Sequence, residues 1–154
     1  MIKKLCEIKE SELFLVPFAE ISKLSAFFGP EADFDCFLVN RLESFSCADS
    51  TFIDILGGLE ADWIEVFGHQ SEQIHDAIDL ASVKANRQKS VGDGVPMTSW
   101  NDNERDDAIA ERIMCGGLGV SVRKVLIVIG SECDEINLVR AISTAMKDVT
   151  EIDF

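Results

Sequence analysis

Three short apolar runs along the chain are typical of strands that are buried on both faces. The clearest is Lys124–Ile129, in which five consecutive aliphatic residues, mostly β-branched, precede Gly130 and Ser131. Two shorter runs, Cys36–Val39 and Trp63–Phe67, have the same character. Strands buried on both faces usually belong to a parallel sheet. The pattern therefore predicts a parallel sheet that contains these three strands.

The segments around these runs have apolar positions that recur with the helical period. Four such helices are predicted, over residues 46–56, 71–86, 103–115 and 134–147. Strands that alternate with helices indicate right-handed βαβ units. We expect an α/β fold, a three-layer sandwich in which a mostly parallel sheet of three to five strands has helices on both faces.

The two ends of the chain have less distinct patterns. Leu13–Val16 is a candidate strand, and Ile21–Phe28 is a candidate short helix that ends at Gly29-Pro30. The alternating residues of Val149–Phe154 predict an edge strand. These two candidate strands would extend the sheet, and its three central strands would remain parallel.

Residues 87–101 fit neither period. The Gly-Asp-Gly sequence at 92–94 is typical of a turn, whereas Met97 and Trp100 are large apolar residues in a polar segment. A segment of this length is usually functional, or it contains an element that its pattern does not show. We expect Met97 and Trp100 to anchor the segment to the core; the alternative is that they line a pocket.

The length of 154 residues suits one domain, and a hydrophobic fraction of 47% is too high for a disordered chain. The sequence has no internal repeat and no linker. We expect a single α/β domain over residues 1–154, with its core at 34–147 and a more variable segment at 1–30.

The chain is strongly acidic, with 14 lysine and arginine residues against 28 aspartate and glutamate residues, a net charge of −14. This charge repels phosphate backbones and anionic lipids, so we expect no nucleic-acid partner and no membrane partner. A high charge often serves only to keep a protein soluble. It also steers association with a protein of opposite charge, so a basic protein partner is allowed.

The five cysteines are odd in number and form no C-x-x-C pair, as is typical of reduced cytosolic thiols. The start of the chain, Met1–Leu5, briefly resembles a signal peptide. Charged residues then stand at positions 7, 9, 10 and 12, where an apolar segment should follow. No uncharged run approaches the length of a membrane span. We expect a cytoplasmic protein.

Four runs resemble a family of small bacterial α/β proteins of uncharacterised function. They are Trp63–Gly68, His75–Asp79, Val91–Trp100 and Lys124–Gly130. The most distinctive piece is the Gly-Asp-Gly-x-Pro-Met-Thr-x-Trp sequence, and the other runs are generic. The resemblance covers about Phe34 to Met146 and leaves out residues 1–30. It implies an α/β fold and a bacterial cytosolic origin, and it implies no activity.

In open α/β sheets, ligands bind beyond the carboxyl ends of the strands. Arg41, His69 and Ser131 follow the predicted strands, and the segment 87–101 is long enough to close over them. A small-molecule pocket at this edge would be lined by Arg41, His69, Asp93, Thr98, Trp100 and Ser131. In such a pocket Arg41 is the anchor for an acidic ligand.

Two residues are candidates for catalysis. Cys133 lies just inside a predicted helix start, where thiol pKa values are often lowered, and His69 is a candidate base. The neighbours Glu132, Asp134 and Glu135 oppose this effect, because carboxylates raise a thiol pKa. The catalytic residues are therefore left unassigned, and a role without catalysis is favoured.

The sequence predicts no nucleotide cofactor. It has neither a G-x-G-x-x-G after a strand nor a G-x-x-x-x-G-K-[ST]. Its predicted helix starts carry their own carboxylates, as at Ser71-Glu72 and in Asn103-x-x-Asp106. A carboxylate in the first turn stabilises the helix and repels an incoming phosphate.

One helix face, around His75, is a candidate site for a divalent metal. His75 shares a helix face with Glu72, Asp76 and Asp79, and such groups can hold a cation. The same pattern is more often a solvated helix face, and no H-E-x-x-H sequence or cysteine pair supports a zinc site. We predict no metal and no cofactor.

The leading hypothesis is a non-catalytic interaction protein, such as an inhibitor or immunity-like protein. A basic partner would engage the carboxylates within Glu31–Glu65 and Asp102–Glu111. The alternative is a small-molecule enzyme or sensor whose pocket at the strand ends is covered by residues 87–101. A third possibility is a subunit that only supports a homo-oligomer, and the oligomeric state is left open.

Overall fold

The computed structural model describes residues 1–8, 10–28, 34–41, 50–58, 61–85, 97–102, 105–114, 124–129 and 132–152. Two strands open the chain, and strands then alternate with helices. In order, the elements are β1 (Lys3–Ile8), β2 (Ser11–Pro17), a 3-10 helix (Phe18–Lys23), α1 (Leu24–Phe28), β3 (Phe34–Asn40), α2 (Ser50–Gly58), β4 (Trp63–Gly68), α3 (Ser71–Ala85), β5 (Met97–Asn101), α4 (Asp106–Arg112), β6 (Lys124–Ile129) and α5 (Glu132–Ile152).

The strands form one six-stranded sheet in the order β1-β2-β6-β3-β4-β5. The β1–β2 pair is antiparallel, and every other neighbouring pair is parallel. The last strand in the sequence, β6, therefore lies between β2 and β3. This confirms the predicted mostly parallel α/β sheet. The sheet has one strand more than the upper limit expected, because β1 and β5 carry no continuous apolar run.

The core has two parts, one on each face of the sheet. All seven positions of β3 are buried, and their side chains alternate between the faces. Cys36 and Leu38 pack with residues of α1, α2 and α3, whereas Phe37 and Val39 pack with residues of α4 and α5. Each fully buried aliphatic or aromatic side chain of this kind contributes roughly 1.5–3 kcal/mol. Helices on both faces complete the three layers.

Helices α2 and α3 pack very closely at Gly57. A Cβ at this position would lie 2.5 Å from the Cβ of Ala81 and 2.8 Å from the backbone nitrogen of Ser82. At Gly58, one residue on, a Cβ would meet nothing within 4 Å. The absence of a side chain at Gly57 allows α2 and α3 to approach each other this closely.

The predicted edge strand at Val149–Phe154 is wrong, because α5 continues to Ile152. An alternation over six residues is too short to outweigh a helix that is already formed, since propagation fixes only one further residue for each hydrogen bond. Residues 87–101 are also not wholly a loop, because they contain β5.

The third predicted helix begins at Asp106 rather than Asn103. Arg105 is its N-cap, with an extended backbone and no side-chain capping hydrogen bond. The carboxylates of Asp106 and Asp107 do occupy the first turn, as expected. Residues 46–49 of the first predicted helix and the Gly29-Pro30 stop lie outside the described residues. Across the described ranges, no helix is long and apolar enough to cross a membrane.

Candidate functional site

The carboxyl ends of β3 and β4 are tied together by hydrogen bonds. The Asn40 side chain is fully buried. Its Nδ2 donates to the backbone carbonyl oxygen of His69 at 2.9 Å, and the backbone carbonyl oxygen of Asn40 accepts from the His69 N–H at 2.8 Å. These bonds occupy the main-chain groups of His69. Arg41 and His69 therefore do lie at the same edge of the sheet, as expected. The ends of β3 and β4 between them are joined by these hydrogen bonds, and we call this place the β3–β4 junction.

Gly68 makes this junction possible. Its φ is +92°, and a Cβ at this position would overlap the carbonyl oxygen of Asn40. L-residues rarely adopt such a backbone, and the space for a side chain is absent. The turn that follows continues with Gln70 at φ 54°. The path from β4 into α3 is consequently set by glycine and by the Asn40 contacts.

Arg41 is not an open anchor for an acidic ligand. Its Nη2 lies 2.5 Å from Oδ1 of Asp106, and its side chain is only 15% exposed. Asp106 stands in the first turn of α4, where a carboxylate also interacts favourably with the helix dipole. The charge of Arg41 is thus compensated within the protein.

A cluster of polar side chains joins β5 to α3, with Thr98 at its centre. The Thr98 hydroxyl donates to Oδ1 of Asp79 and lies 3.0 Å from Nε2 of His75. The other ring nitrogen of His75, Nδ1, lies 2.9 Å from Oδ1 of Asp76. The His75 side chain is 15% exposed. We call these four residues the Thr98 cluster.

The hydrogen bonds of the Thr98 cluster argue against catalysis by its hydroxyl. A hydroxyl has one proton, and here that proton goes to Asp79, so the Thr98 oxygen accepts from His75 Nε2. A nucleophilic hydroxyl would instead need its proton to go to the imidazole. The cluster is suited to holding β5 against α3.

Strand β5 forms one edge of the sheet, and among the described residues its outer side is open. Met97 donates its N–H to the carbonyl of Asp62 at 3.0 Å, so the Met97 backbone faces β4. Because strand residues alternate, the backbone groups of Thr98 and Trp100 face outward. In the part of the chain that the structure describes, no strand pairs with this edge.

Met97 and Trp100 do not anchor the segment in the core. The exposed fraction is 55% for Met97 and 42% for Trp100. Three positions apart in a strand, they lie on opposite faces of the sheet. Trp100 is in register with Val66, on the same face as Thr98 and α3. The expectation of anchoring is therefore wrong, since an edge strand leaves both side chains half in solvent.

Carboxylates of α3 flank this strand. Glu72 and Asp76 are exposed, and the Asp79 side chain is 49% exposed. The helix carries one lysine, Lys84, in its last turn. We define the β5 edge surface as β5 together with Glu72, Asp76 and Asp79 of α3. It combines an open backbone edge, a half-exposed tryptophan and negative charge.

Not every carboxylate within Glu31–Glu65 is available to a partner. The Glu65 side chain is 6% exposed, and its two oxygens accept from Nε of Arg112 at 3.2 and 2.9 Å. Asp35 is 3% exposed. The expectation that the whole range engages a partner is wrong for these two residues, because strand positions facing a helix layer are buried.

The predicted pocket residues fall into separate places. Arg41 and His69 lie at the carboxyl edge, whereas Thr98 and Trp100 lie on β5 toward α3. Asp93 and Ser131 lie outside the described residues. For Cys133 only the backbone is described, in the first turn of α5. Among the described residues, no three His, Cys, Asp or Glu side chains are grouped so that they could hold a metal ion.

The role of His75 as a partner of Thr98 was missed by sequence reasoning. His75 was weighed only with carboxylates of its own helix. The available signal was the β-rich Met-Thr-Ser-Trp sequence, whose strand character places Thr98 beside α3.

Comparisons with known proteins give the chain no family. No protein-family model matches it. No curated protein matches it either. Among solved structures, it is similar to a domain described as belonging to a UDP-N-acetylmuramate:L-alanyl-gamma-D-glutamyl-medo-diaminopimelate ligase from Haemophilus ducreyi, with a TM-score of 0.49, 10% identity, 93% of this chain covered and 98% of the other. No inference about chemistry follows from a likeness this distant.

Proposed function

We propose that this chain is a non-catalytic interaction module that binds a basic protein partner, as an inhibitor or immunity-like protein does. The observation that carries the proposal is the β5 edge surface, where an uncharged strand is open on one side and lies next to three carboxylates. The net charge of −14 adds a field of the same sign around it. Such a field speeds association with a basic protein.

The engagement of the candidate pocket groups supports this proposal over a small-molecule enzyme or sensor. Arg41 is paired with Asp106, and Asn40 is used to hold His69. The Thr98 hydroxyl is committed to Asp79. A catalytic or ligand-binding site needs such groups to face the ligand, and here they face other parts of the protein. A cytoplasmic location belongs to the same proposal, in line with the buried free thiol of Cys36.

The test uses affinity capture from the native cell followed by kinetics with the purified partner. The partner retained at low salt is identified, and its association rate is measured at increasing ionic strength. We expect a basic protein whose association slows as salt rises, because salt screens exposed charges. An acidic partner, or a rate that salt does not change, contradicts the proposal.

Two matched charge reversals locate the surface. Glu72→Lys and Asp54→Lys each change the net charge by two, from −14 to −12. Both residues are exposed, on α3 and α2 respectively. We expect Glu72→Lys to slow association several-fold and Asp54→Lys to leave it nearly unchanged, since steering depends on charges near the contact. Equal losses would show that only the overall charge matters.

A further inference from the structure

We infer that β5 accepts an extended basic segment of the partner as an added strand, so that the partner continues the sheet. This inference rests on the proposed function and specifies how that partner binds. Strand addition to an open sheet edge is a common mode of peptide recognition, in which main-chain hydrogen bonds supply affinity and alternate side chains supply specificity.

The backbone of β5 is suited to this role. Its five residues pair with β4 in one unbroken parallel register, from Trp63↔Met97 to Phe67↔Asn101. The strand therefore has no bulge against β4, and its outward groups belong to Thr98 and Trp100. Together these two residues offer two N–H donors and two carbonyl acceptors to an added strand.

Within its five described residues, β5 has none of the sequence features by which edge strands commonly block unwanted pairing. Edge strands are usually protected by charged side chains, proline or bulges. β5 reads Met-Thr-Ser-Trp-Asn and contains neither charge nor proline. At the other edge, β1 carries Lys3 and Lys4 and has a register shift between Lys4 and Cys6. The contrast favours use of the β5 edge for binding.

Side chains next to the edge define the chemistry of the segment. On the α3 side, Trp100 offers an apolar and aromatic face, and Glu72 and Asp76 lie exposed on the helix. A lysine or arginine side chain suits the tryptophan and the carboxylates together. Its aliphatic stem can cover the Trp100 ring while its charged end reaches Glu72 and Asp76. The segment is thus extended and carries basic residues at every second position.

A second copy of this chain is the poorer occupant. Pairing of two β5 strands would bring two sets of Glu72, Asp76 and Asp79 together, and each chain has a net charge of −14. Like charges placed together at an interface oppose association. Charge complementarity therefore selects a basic segment of another protein.

The test uses synthetic six-residue peptides of alternating lysine and valine as probes. Two further versions are N-methylated, one at the first, third and fifth residues and the other at the second, fourth and sixth. Another version has glutamate in place of lysine. In strand addition only one set of amides faces β5, so methylation of that set removes the hydrogen bonds. Binding is followed by tryptophan fluorescence in the Trp63→Phe variant, where Trp100 is the remaining tryptophan.

We expect the lysine peptide to shift Trp100 emission to the blue and to bind less tightly as salt increases. One N-methylated version should bind at least tenfold less tightly, and the other should bind like its parent. The glutamate peptide should not bind. Equal binding of the two N-methylated versions would overturn strand addition and leave the proposed function standing.

A pair of surface variants completes the test. Trp100→Lys places a charge on the edge, and Leu80→Lys makes the same change on α3 at a side chain that is 57% exposed. Trp100→Lys should abolish binding of the lysine peptide, whereas Leu80→Lys should preserve it; both are measured by the anisotropy of a fluorescently labelled peptide, because Trp100→Lys removes the tryptophan signal. No binding up to about 1 mM peptide overturns the inference, and the absence of any basic partner in affinity capture overturns the proposed function as well. Self-association that Trp100→Lys abolishes would assign the edge to a second copy instead.

Discussion

The two edges of the sheet differ in charge and in the regularity of their strands. At β1, Lys4 pairs with Glu7 at 2.8 Å and with Glu12 at 2.6 Å, and Lys3 pairs with Glu135 at 2.7 Å. These ion pairs are exposed and lie along an irregular strand. At β5 the strand has no charge and a regular register, and its polar contacts turn inward to α3 through Thr98.

The difference shows two uses of charge. At one edge it discourages pairing with other strands, and elsewhere it holds a helix in position on the sheet. Exposed ion pairs contribute little to stability, and charged side chains such as Lys3 and Lys4 on an edge strand disfavour pairing with another strand. On the β5 side, the pairs Glu65–Arg112 and Arg41–Asp106 have one partner largely withdrawn from water. Such pairs hold α4 and the sheet in a defined arrangement.

Gly68→Ala is expected to have the largest effect on the β5 side. The substitution strains a backbone at φ +92° and overlaps the Asn40 carbonyl oxygen. We expect the free energy of unfolding to fall by roughly 3 kcal/mol or more. Urea denaturation measures it, with Gly58→Ala as the control, because a Cβ there meets nothing within 4 Å. Equal stability of the two variants would mean that the junction yields easily.

Arg112→Ala is expected to rank second. It leaves the Glu65 carboxylate buried, at 6% exposure, without its partner. We expect a loss of about 2 kcal/mol, which Glu65→Leu added to Arg112→Ala recovers in part. The matching change at β1, Lys4→Ala, should alter stability far less, since Glu7 and Glu12 stay in contact with water. A Lys4→Ala loss as large as that of Arg112→Ala would contradict the comparison.

The reactivities of the Cys36 and Cys6 thiols allow a comparison of the centre of the sheet with the β1 edge. Burial, and then the charge of Asp35, raises the pKa of Cys36 to about 12. Partial burial also raises the pKa of Cys6, and the charge of Lys4 opposes this shift. Because the thiolate is the reactive form, we expect Cys36 to be alkylated at least tenfold more slowly than Cys6 at about pH 8. Peptide mapping measures both rates, and unfolding in urea should make them similar.

The smallest effect concerns the pH dependence of the β1 ion pairs. The hydrogen bond from Lys4 holds the pKa of Glu12 below its ordinary value of 4.5. A carboxyl whose pKa is lower in the folded protein stabilises the fold above its unfolded pKa, and this contribution is lost as the pH falls through the folded value. The stability difference between the native chain and Lys4→Met should therefore be present at neutral pH and disappear in acid below about pH 4.5. A difference that persists at low pH would point to packing by the Lys4 stem.

The centre of the fold is predictable from sequence, and its edges are not. The runs at 36–39, 63–67 and 124–129 are mostly apolar, and all three are strands. In β3 and β4 this character reflects burial on both faces of the sheet. β1 and β5 have polar residues because one side meets solvent, so their pattern does not stand out. Strand order depends on contacts between distant residues, which local periodicity does not contain.

Part of the candidate site follows the same rule. Arg41 and His69 could be placed at one edge because parallel strands share their carboxyl ends. The pairing of Arg41 with Asp106, and of Thr98 with His75, depends on where α4 and α3 pack on the sheet. These contacts required the tertiary structure.

The position of β6 has a consequence for synthesis on the ribosome. Until residues 124–129 emerge, β2 and β3 each lack a neighbour on the side that β6 will occupy. The nascent chain can form its first hairpin and its β3–β4–β5 half, yet the two cannot join until the sixth strand enters between them. A chain that stops before residue 124 would expose the unpaired edges of β2 and β3 at once, and unpaired strand edges make a partly folded chain prone to aggregation.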